Sequence, residues 1–490
     1  MLVINYLREI DSPNLKKAFM VSTAMIITWL LCIQQGSGYV SAGVMSAAMF
    51  MAEKNSGSRF NRVLSRSVAT ILGGATVLFI GEFALVDAFV FNTLVIVIVA
   101  LFTFLAALNK GLNPYIAYVF AMAGLTVCFT GFPTTYNPSL ISLWNNTLPR
   151  LMGMFVAIIV AEVVSGIFTR GKPNNEFAIK EQQQKNLIRQ LMRKPLYMGD
   201  DKTQFFTKLS ADAKALYLQY ADIRTLAYLL SNKFDIKKQG YLYILQFIKQ
   251  TNTLNNLLDS ELSEQDKIKF NLYFSLMNKA QSVEKTITDL KREFTFSLKA
   301  QQHLEMFLDT ASQIQKLENN QKPKEIFQTL NWKLAFKNSL RCFLTLMIIS
   351  FFWFSSDWYK GANTMMLAGT LCVMFSALPI PGKAGSMLFF AGHFLCVIVA
   401  YILEFFIMPG VIHPSVLFAV VGVYLMITTY KMNTIKGPLS MIFFFMMLFW
   451  PAYTDLANIP GFNEESFINT AIANLLAALI FRFMFEVIKE

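Results

Sequence analysis

The chain has 490 residues, 54% of them hydrophobic, and its mean hydropathy of +0.44 excludes an ordinary soluble enzyme. The net charge of +12 could indicate nucleic-acid binding, but the cations flank apolar runs or lie in one polar insert, so membrane orientation explains them without a nucleic-acid partner. The five cysteines lie in apolar segments without a CxxC pair, and neither disulfides nor a metal or cofactor site is predicted.

Apolar runs along the chain predict twelve membrane-spanning helices in two groups of six. The first group lies at about 15–33, 38–52, 63–81, 89–108, 114–131 and 147–168, and the second at about 335–354, 363–379, 385–408, 412–429, 437–452 and 467–487. We therefore expect an all-α membrane protein with three parts: an N-terminal six-span block at 1–168, a cytoplasmic helical domain at 169–331 and a C-terminal six-span block at 332–490.

The third apolar run has the most distinctive start. Arg59, Arg62 and Arg66 lie at its beginning at helical spacings of three and four, and the small residues Gly73 and Gly74 lie near its middle. Arginines at the end of a span are biased to the cytoplasmic side, and glycines allow another helix to approach closely. Cations in the other alternate connections agree with this side, whereas the opposite connections hold mainly acidic residues. We therefore expect both termini in the cytoplasm.

The polar segment between the two groups, residues 169–331, is rich in Lys, Gln, Glu and Leu. Its apolar residues recur at spacings of three and four, as in ALYLQYADIRTLAYLL, which predicts four to six amphipathic helices in a cytoplasmic bundle. The sequence has no GxxxxGK[ST] motif, so an ATP-driven motor is not predicted. A regulatory role, formation of a homodimer and a passive connection all stay open for this segment.

The two halves of the chain resemble each other weakly. LKKAF at 15–19 matches WKLAF at 332–336, and YVSAGVMSAAMFM at 39–51 resembles YKGANTMMLAGTLCVM at 359–374. Because each half begins on the same side and has an even number of spans, the repeat would be parallel and would place a pathway between the halves. The second half lacks the arginine triplet and has only Lys383 there, so the halves differ chemically.

This arrangement resembles the fusaric acid resistance and aromatic acid exporter family. The resemblance rests on the six-span, helical-insert, six-span layout and on the entry to the third span, with Arg62, Arg66, Thr70, Gly73 and Gly74. It implies a bacterial inner-membrane protein that exports aromatic carboxylic acids or similar toxic organic anions. Export in this family is driven by the proton gradient, often with a periplasmic adaptor protein. A more distant likeness to the plant malate-channel family keeps a passive channel open.

Four residues are candidates for binding an organic anion: Arg66, Arg150, Arg62 and Asn474. Arg150 lies at the predicted outer end of the sixth span, against the charge rule, and a guanidinium binds a carboxylate through two parallel hydrogen bonds. Its alternative role is contact with lipid headgroups or with a nearby acid. Arg62 and Arg66 can attract anions at the cytoplasmic entrance or simply anchor the helix. Asn474 can bind substrate or join two helices.

Three ionisable residues within apolar runs, Glu162, His393 and Glu404, are candidates for proton coupling. A carboxyl group away from water can carry a proton, and histidine changes charge near neutral pH. The alternatives are an interfacial ion pair for Glu162, a neutral buried His393, and contact of Glu404 with water outside.

Together these features predict a proton-driven secondary exporter of organic anions. A passive anion channel is the first alternative, and a membrane-anchored scaffold that transports nothing is the second. Proton coupling separates the exporter from the channel. No enzymatic activity is expected, because the sequence contains no recognisable nucleophile, metal or nucleotide constellation.

Overall fold

The computed structural model describes residues 13–52, 56–110, 113–169, 330–378, 382–411, 413–435, 437–454 and 461–488, with a few isolated residues of the insert. All regular secondary structure in these described residues is helical. The cytoplasmic bundle predicted for 169–331 lies almost wholly outside them. The predicted domain boundaries therefore stay a prediction.

The described residues contain two groups of helices. The first group is α1 Pro13–Cys32, α2 Ser37–Ala52, α3 Ser56–Ala84, α4 Ala88–Asn109, α5 Pro114–Thr135 and α6 Leu140–Thr169. The second group is α7 Trp332–Ser356, α8 Gly361–Ala377, α9 Gly382–Tyr401, α10 Pro414–Thr434, α11 Ser440–Phe449 and α12 Glu464–Val487. A π-helical turn, Ile402–Ile407, extends α9, and a 3₁₀ turn, Trp450–Ala452, extends α11. Each predicted span overlaps one of these helices.

Helix length separates the spans into two kinds. Within the described chain, nine helices are long and apolar enough to cross a membrane. Helices α2, α8 and α11 are shorter, with apolar stretches at Gly38–Ala52, Gly361–Ala377 and Ser440–Ala452. At ~1.5 Å per residue these stretches reach about 20–26 Å, less than the ~30 Å hydrocarbon layer. The protein is therefore a multi-pass membrane protein, and nine of its described helices are candidate spans. Helices α2 and α8 hold corresponding places in the two groups.

Side-chain caps begin several of the helices. The Asp87 carboxylate accepts hydrogen bonds from the backbone N–H groups of Phe89 at 2.7 Å and Val90 at 3.0 Å, and α4 starts there. Asn113 caps α5 in the same way, and Pro114 follows it in the first turn, where its missing N–H needs no partner. These caps satisfy donors that the start of a helix leaves without intrahelical partners.

Helix α6 begins at Leu140, so the predicted start of the sixth span at about residue 147 is wrong. Ser139 begins the helix, because its hydroxyl accepts the Ser142 backbone N–H at 3.1 Å. The polar residue Asn146, near this end of α6, donates its side-chain amide to the Thr134 hydroxyl at 3.0 Å on α5. A polar run at this end of the span is thus held within the helix by a neighbouring helix.

Because α6 starts earlier than predicted, Arg150 and Pro149 lie farther from the beginning of the helix than the sequence indicated. Arg150 lies about three turns inside the helix instead of at its outer end. Pro149 also lies in the helix interior, where its missing backbone N–H leaves one helical hydrogen bond unmade.

Helices from both groups belong to one compact unit, which comprises Met1–Lys54, Arg59–Arg170 and Thr329–Glu490. The short helix α8 packs against α4, α5, α7 and α12, while α2 packs against α1 and α6. The other unit, Asn55–Ser58 and Gly171–Gln328, lies almost wholly outside the described residues. The short helices α2 and α8 thus pack mainly against longer helices.

Polar contacts join the two groups of helices where α4 meets α7. The Asn92 side-chain amide donates to the Ser350 hydroxyl at 2.7 Å, and the Ser339 hydroxyl donates to the Ala100 carbonyl at 2.9 Å. Hydrogen bonds of this kind hold helices together where lipid offers no hydrophobic drive for packing.

Two glycines allow close approach of helix backbones, as the sequence predicted for Gly73. A Cβ at Gly73 would lie 2.5 Å from the Ala123 carbonyl oxygen, so α3 and α5 can meet only without a side chain there. A Cβ at Gly153 would lie 2.6 Å from the Tyr39 carbonyl oxygen, where α6 meets the short helix α2.

Candidate functional site

A cavity of about 380 Å³ lies near the beginnings of α2, α8 and α12 and the ends of α9 and α11. Short helices leave room at their ends, and both α2 and α8 contribute to the wall. The lining residues are Gly38, Ser41, Met45, Phe129, Arg150, Met366, Glu404, Pro451, Ala452, Tyr453, Thr454, Asn463, Ser466, Phe467 and Thr470. Two of the sequence-predicted site residues, Arg150 and Glu404, are therefore brought to one cavity.

Arg150 is half-buried in the cavity wall. Its guanidinium carbon lies 3.6 Å from the centroid of the Phe129 ring, a distance typical of a cation–π contact. No carboxylate among the described residues forms an ion pair with it. The aromatic face holds the side chain in place without neutralising its charge, so the arginine can still bind an anion.

Three arginines contact a single face of α5. The contacts are Arg62 over the Tyr118 ring at 4.4 Å, Arg66 to the Met122 sulfur, and Arg150 over the Phe129 ring at 3.6 Å. Positions 118, 122 and 129 share a face because spacings of four and seven return to one side of an α-helix. The predicted anion-binding arginines of α3 and α6 thus form one row along α5, about 16 Å long by helical rise.

Arg66 is the most deeply buried of the three arginines, with 7% of its surface exposed. Its Nη1 donates to the Met122 sulfur, and its Nε has no hydrogen-bond partner in the described residues. Its charge also acts on Arg150. Two cations that act on each other in this way repel, and an anion between or beside them would relieve that repulsion.

Glu404 lies in the π-helical turn that follows α9, and only 3% of its surface is exposed. A π-helical turn re-aims the side chains of a helix and occurs often at functional sites. Glu404 and Arg150 line the same cavity. The cavity therefore offers both a cation and a carboxyl group.

His393 is completely buried on α9, directly behind the cavity wall. Its Nε2 is hydrogen-bonded to the hydroxyl of Tyr453, and Tyr453 itself lines the cavity. The rings of Phe389 and Phe449 pack on the imidazole with centroid distances of 5.0 and 5.1 Å. Asn474, on α12, lies beside the Tyr453 hydroxyl. His393 and Asn474 thus reach the cavity through one shared tyrosine.

Lys360, which departs from the predicted charge rule, lies just before α8 at the edge of the cavity. Its ammonium donates a hydrogen bond to the Ser466 hydroxyl at 3.1 Å, and Ser466 lines the cavity. Partial burial lowers the pKa of Lys360 from its ordinary value. A second cation thus lies close to the mouth of the cavity.

The remaining predicted residues lie elsewhere. Glu162 lies on the exposed face of α6 and does not line the cavity. Arg62 and Arg66 lie along α5 beyond the cavity wall. Within the described part of the chain, no group of His, Cys, Asp and Glu side chains is arranged to hold a metal ion.

Sequence reasoning missed Phe129, Tyr453 and Ser466 as parts of the site. Aromatic and hydroxyl residues are numerous in this chain, so nothing in their local pattern distinguishes these three. The available signal was the shortness of the second and eighth apolar runs, since short segments at corresponding places in two halves often mark a transport site.

Part of the chain is similar in sequence to known proteins. The model of the fusaric acid resistance protein family matches residues 249–490, slightly less than half of the sequence. An uncharacterized transporter, YdhK, from Escherichia coli O157:H7 is 24% identical over 158 residues, and its counterpart in strain K12 is 23% identical. Each match spans 32% of this chain but only 23% of the relative. No solved structure gives a significant match.

The family match confirms the resemblance predicted from the sequence, and it covers the second group of helices with α8, Glu404, His393 and Tyr453. Residues 249–490 of this multi-pass membrane protein carry the sequence signature of the fusaric acid resistance protein family, a family of membrane transporters.

Proposed function

We propose that this protein is a secondary exporter that moves an aromatic carboxylic acid or a similar organic anion outwards, driven by the proton gradient. The observation that carries the proposal is Arg150, a cation held over Phe129 in a cavity wall with no carboxylate of the described residues paired to it. A charged side chain inside a membrane span costs free energy, and its presence there points to a function.

The chemistry of the cavity suits a carboxylate attached to an apolar ring. The Arg150 guanidinium would bind the carboxylate through two parallel hydrogen bonds. The first turns of α2 and α12 line the cavity at Gly38 and Ser466, and helix beginnings carry partial positive charge. Phe129 and Phe467 offer aromatic surface to the rest of the substrate.

The row of arginines along α5 supports a route for the anion. Arg62 and Arg66 lie farther along α5 from the cavity than Arg150, on the side where the sequence predicts the cytoplasm. Each would hold an anion briefly and pass it to the next cation, because neighbouring sites of similar strength allow release as well as capture.

Glu404 and His393 are the proposed carriers of the coupling proton. Glu404 reaches the cavity directly and His393 reaches it through Tyr453. In an antiporter the two ligands occupy the protein in opposite steps, so a proton site near the anion site is what coupling requires. Glu162, on the exposed face of α6, has no contact with this cavity.

We further propose that the protein lies in a bacterial inner membrane with both termini in the cytoplasm, as loop cations indicate. The cavity would then open to the outer side, where α2, α8 and α12 begin. The parallel six-helix repeat, the cytoplasmic bundle, a homodimer and a periplasmic adaptor protein belong to the same proposal and rest on the family resemblance and the sequence.

A passive organic-anion channel is the second candidate. The row of arginines that contact α5 would also serve the conduction of anions. Uptake into inverted vesicles that contain the protein tests both candidates. The exporter accumulates a hydroxybenzoate against its gradient when the vesicles are energised, and an uncoupler abolishes the accumulation. Flux that needs no proton gradient favours the channel. If vesicles with and without the protein behave alike, transport of this class is excluded.

A further inference from the structure

Tyr453 is the only described residue that both hydrogen-bonds to His393 and lines the cavity. It lies just after the 3₁₀ turn that ends α11, while His393 lies in the middle of α9. The two rings are 5.2 Å apart between centroids and inclined at 61°. Neither Glu404 nor any other described carboxylate bridges His393 to the cavity, so this hydroxyl is the connection that the structure provides.

The second ring nitrogen of His393 strengthens the case for function. Its Nδ1 is buried and has no hydrogen-bond partner among the described residues. A buried polar atom without a partner is destabilising and calls for an explanation beyond packing. A proton acceptor that must change its charge during a cycle is one such explanation, since a fully satisfied imidazole would be fixed in one state.

We propose that Tyr453 is a positioning residue that relays protons between the cavity and His393, so that the cavity water never needs to reach the imidazole. This inference rests on the proposed function and adds to it the path that the coupling proton takes.

The relay conserves protons at every step. The Tyr453 hydroxyl gives its proton to His393 Nε2 and accepts one from a cavity water or from the Glu404 carboxyl group. Tyr453 is neutral before and after the transfer, and His393 becomes an imidazolium. The reverse transfer returns the proton to the cavity when the substrate has left. No oxidant, metal or covalent intermediate is needed.

Few other titratable groups of the described residues surround this pair. Cys396 lies one turn along α9, and Tyr424 of α10 lies beside Cys396 with its hydroxyl donated to the Met446 carbonyl at 2.8 Å. Phe389 and Phe449 enclose the rest of the imidazole. Among the residues that the structure describes, the cavity and Glu404 are therefore the proton donors open to this pair.

The test uses the full-length protein in liposomes and two assays of hydroxybenzoate movement. Counterflow exchange without a proton gradient measures binding and translocation alone, and gradient-driven accumulation measures coupling as well. Tyr453→Phe keeps the ring and removes the hydroxyl. Tyr424→Phe is the matched control, because it removes the hydroxyl of a nearby half-buried tyrosine that does not line the cavity. His393→Gln is a second variant that keeps a hydrogen-bonding side chain but cannot relay a proton.

We expect Tyr453→Phe and His393→Gln to lose at least about tenfold more in gradient-driven accumulation than in exchange, because accumulation alone needs the lost proton transfer. Tyr424→Phe should keep both activities. The relay is overturned if Tyr453→Phe accumulates as the wild type does, or if it loses exchange and accumulation equally while its thermal unfolding is unchanged. If the wild type itself shows exchange but no accumulation, the proposed proton-driven function fails and the relay fails with it.

Discussion

The guanidinium carbon of Arg150 lies 3.6 Å from the centroid of the Phe129 ring, in the wall of a cavity. The contact joins α6 to α5 and fixes a long, flexible side chain by attraction to the face of the ring. An aromatic ring stabilises the cation without neutralising it, unlike a carboxylate. The arginine is therefore oriented in advance and still able to bind an anion.

Replacing Phe129 by Leu should weaken substrate binding because the cation loses its support. A cation–π contact of about 0.5–2 kcal/mol corresponds to a rise in KM of roughly two- to thirtyfold. Phe351→Leu is the control, since Phe351 is 77% exposed on α7 and does not line the cavity. Initial rates of hydroxybenzoate uptake at several concentrations measure KM. Equal KM values for the two variants would show that the ring does not position Arg150.

Glu404→Gln should abolish gradient-driven uptake but leave exchange, because the amide cannot carry a proton and still fills the same space. Glu162→Gln is the matched control on the exposed face of α6. Uptake into energised vesicles with and without an uncoupler separates the two activities. The opposite outcome, in which only Glu162→Gln loses coupling, would put the proton site at the surface of α6 and away from the cavity.

The cavity is expected to open to the outside of the cell. A cysteine introduced at Ser466 in the cavity wall should react with a membrane-impermeant thiol reagent in intact cells, and substrate should slow the reaction. Lys333→Cys, at the exposed start of α7, should react only after the membrane is opened. The five native cysteines are buried and should give little background. Labelling of Lys333→Cys alone in intact cells would reverse the proposed orientation.

Gly73→Ala should destabilise the protein, because the added Cβ would meet the Ala123 carbonyl oxygen at 2.5 Å and force α3 away from α5. Overpacking of this kind costs about 1–3 kcal/mol. Gly166→Ala on α6 is the control, since no atom lies within 4 Å of a Cβ there. Thermal unfolding in detergent compares them. If both variants unfold at the wild-type temperature, the close approach of α3 and α5 is not needed for stability.

The sequence predicts helices well in this protein because membrane helices need long apolar runs, and every predicted span overlaps a helix. It fails at the start of α6, which begins at Leu140 instead of about residue 147; the polar Asn146 side chain there is held by Thr134 of α5. This boundary depends on a contact between two helices, and the local composition of the sequence does not reveal that contact.

The site could be predicted only in part, for a similar reason. A charged residue in an apolar run is unusual, so Arg150, Glu404 and His393 are visible in the sequence. Their partners Phe129 and Tyr453 are common residue types, and Tyr453 lies 60 residues from His393. The row of arginines along α5 depends on how α3 and α6 pack around it. Such pairings arise from tertiary packing alone.

Binding of a hydroxybenzoate to the purified protein, measured by calorimetry without any proton gradient, tests the central role of Arg150 most directly. Loss of a charge-assisted hydrogen-bonded pair costs about 1.5–3 kcal/mol, so Arg150→Gln should raise the Kd roughly ten- to hundredfold. Arg150→Lys should lose less affinity because the charge stays. Arg482→Gln is the control: the Arg482 guanidinium lies 3.3 Å from the Glu486 carboxylate and does not line the cavity, so this variant should bind as the wild type does. Equal Kd values for the wild type and Arg150→Gln would contradict the account.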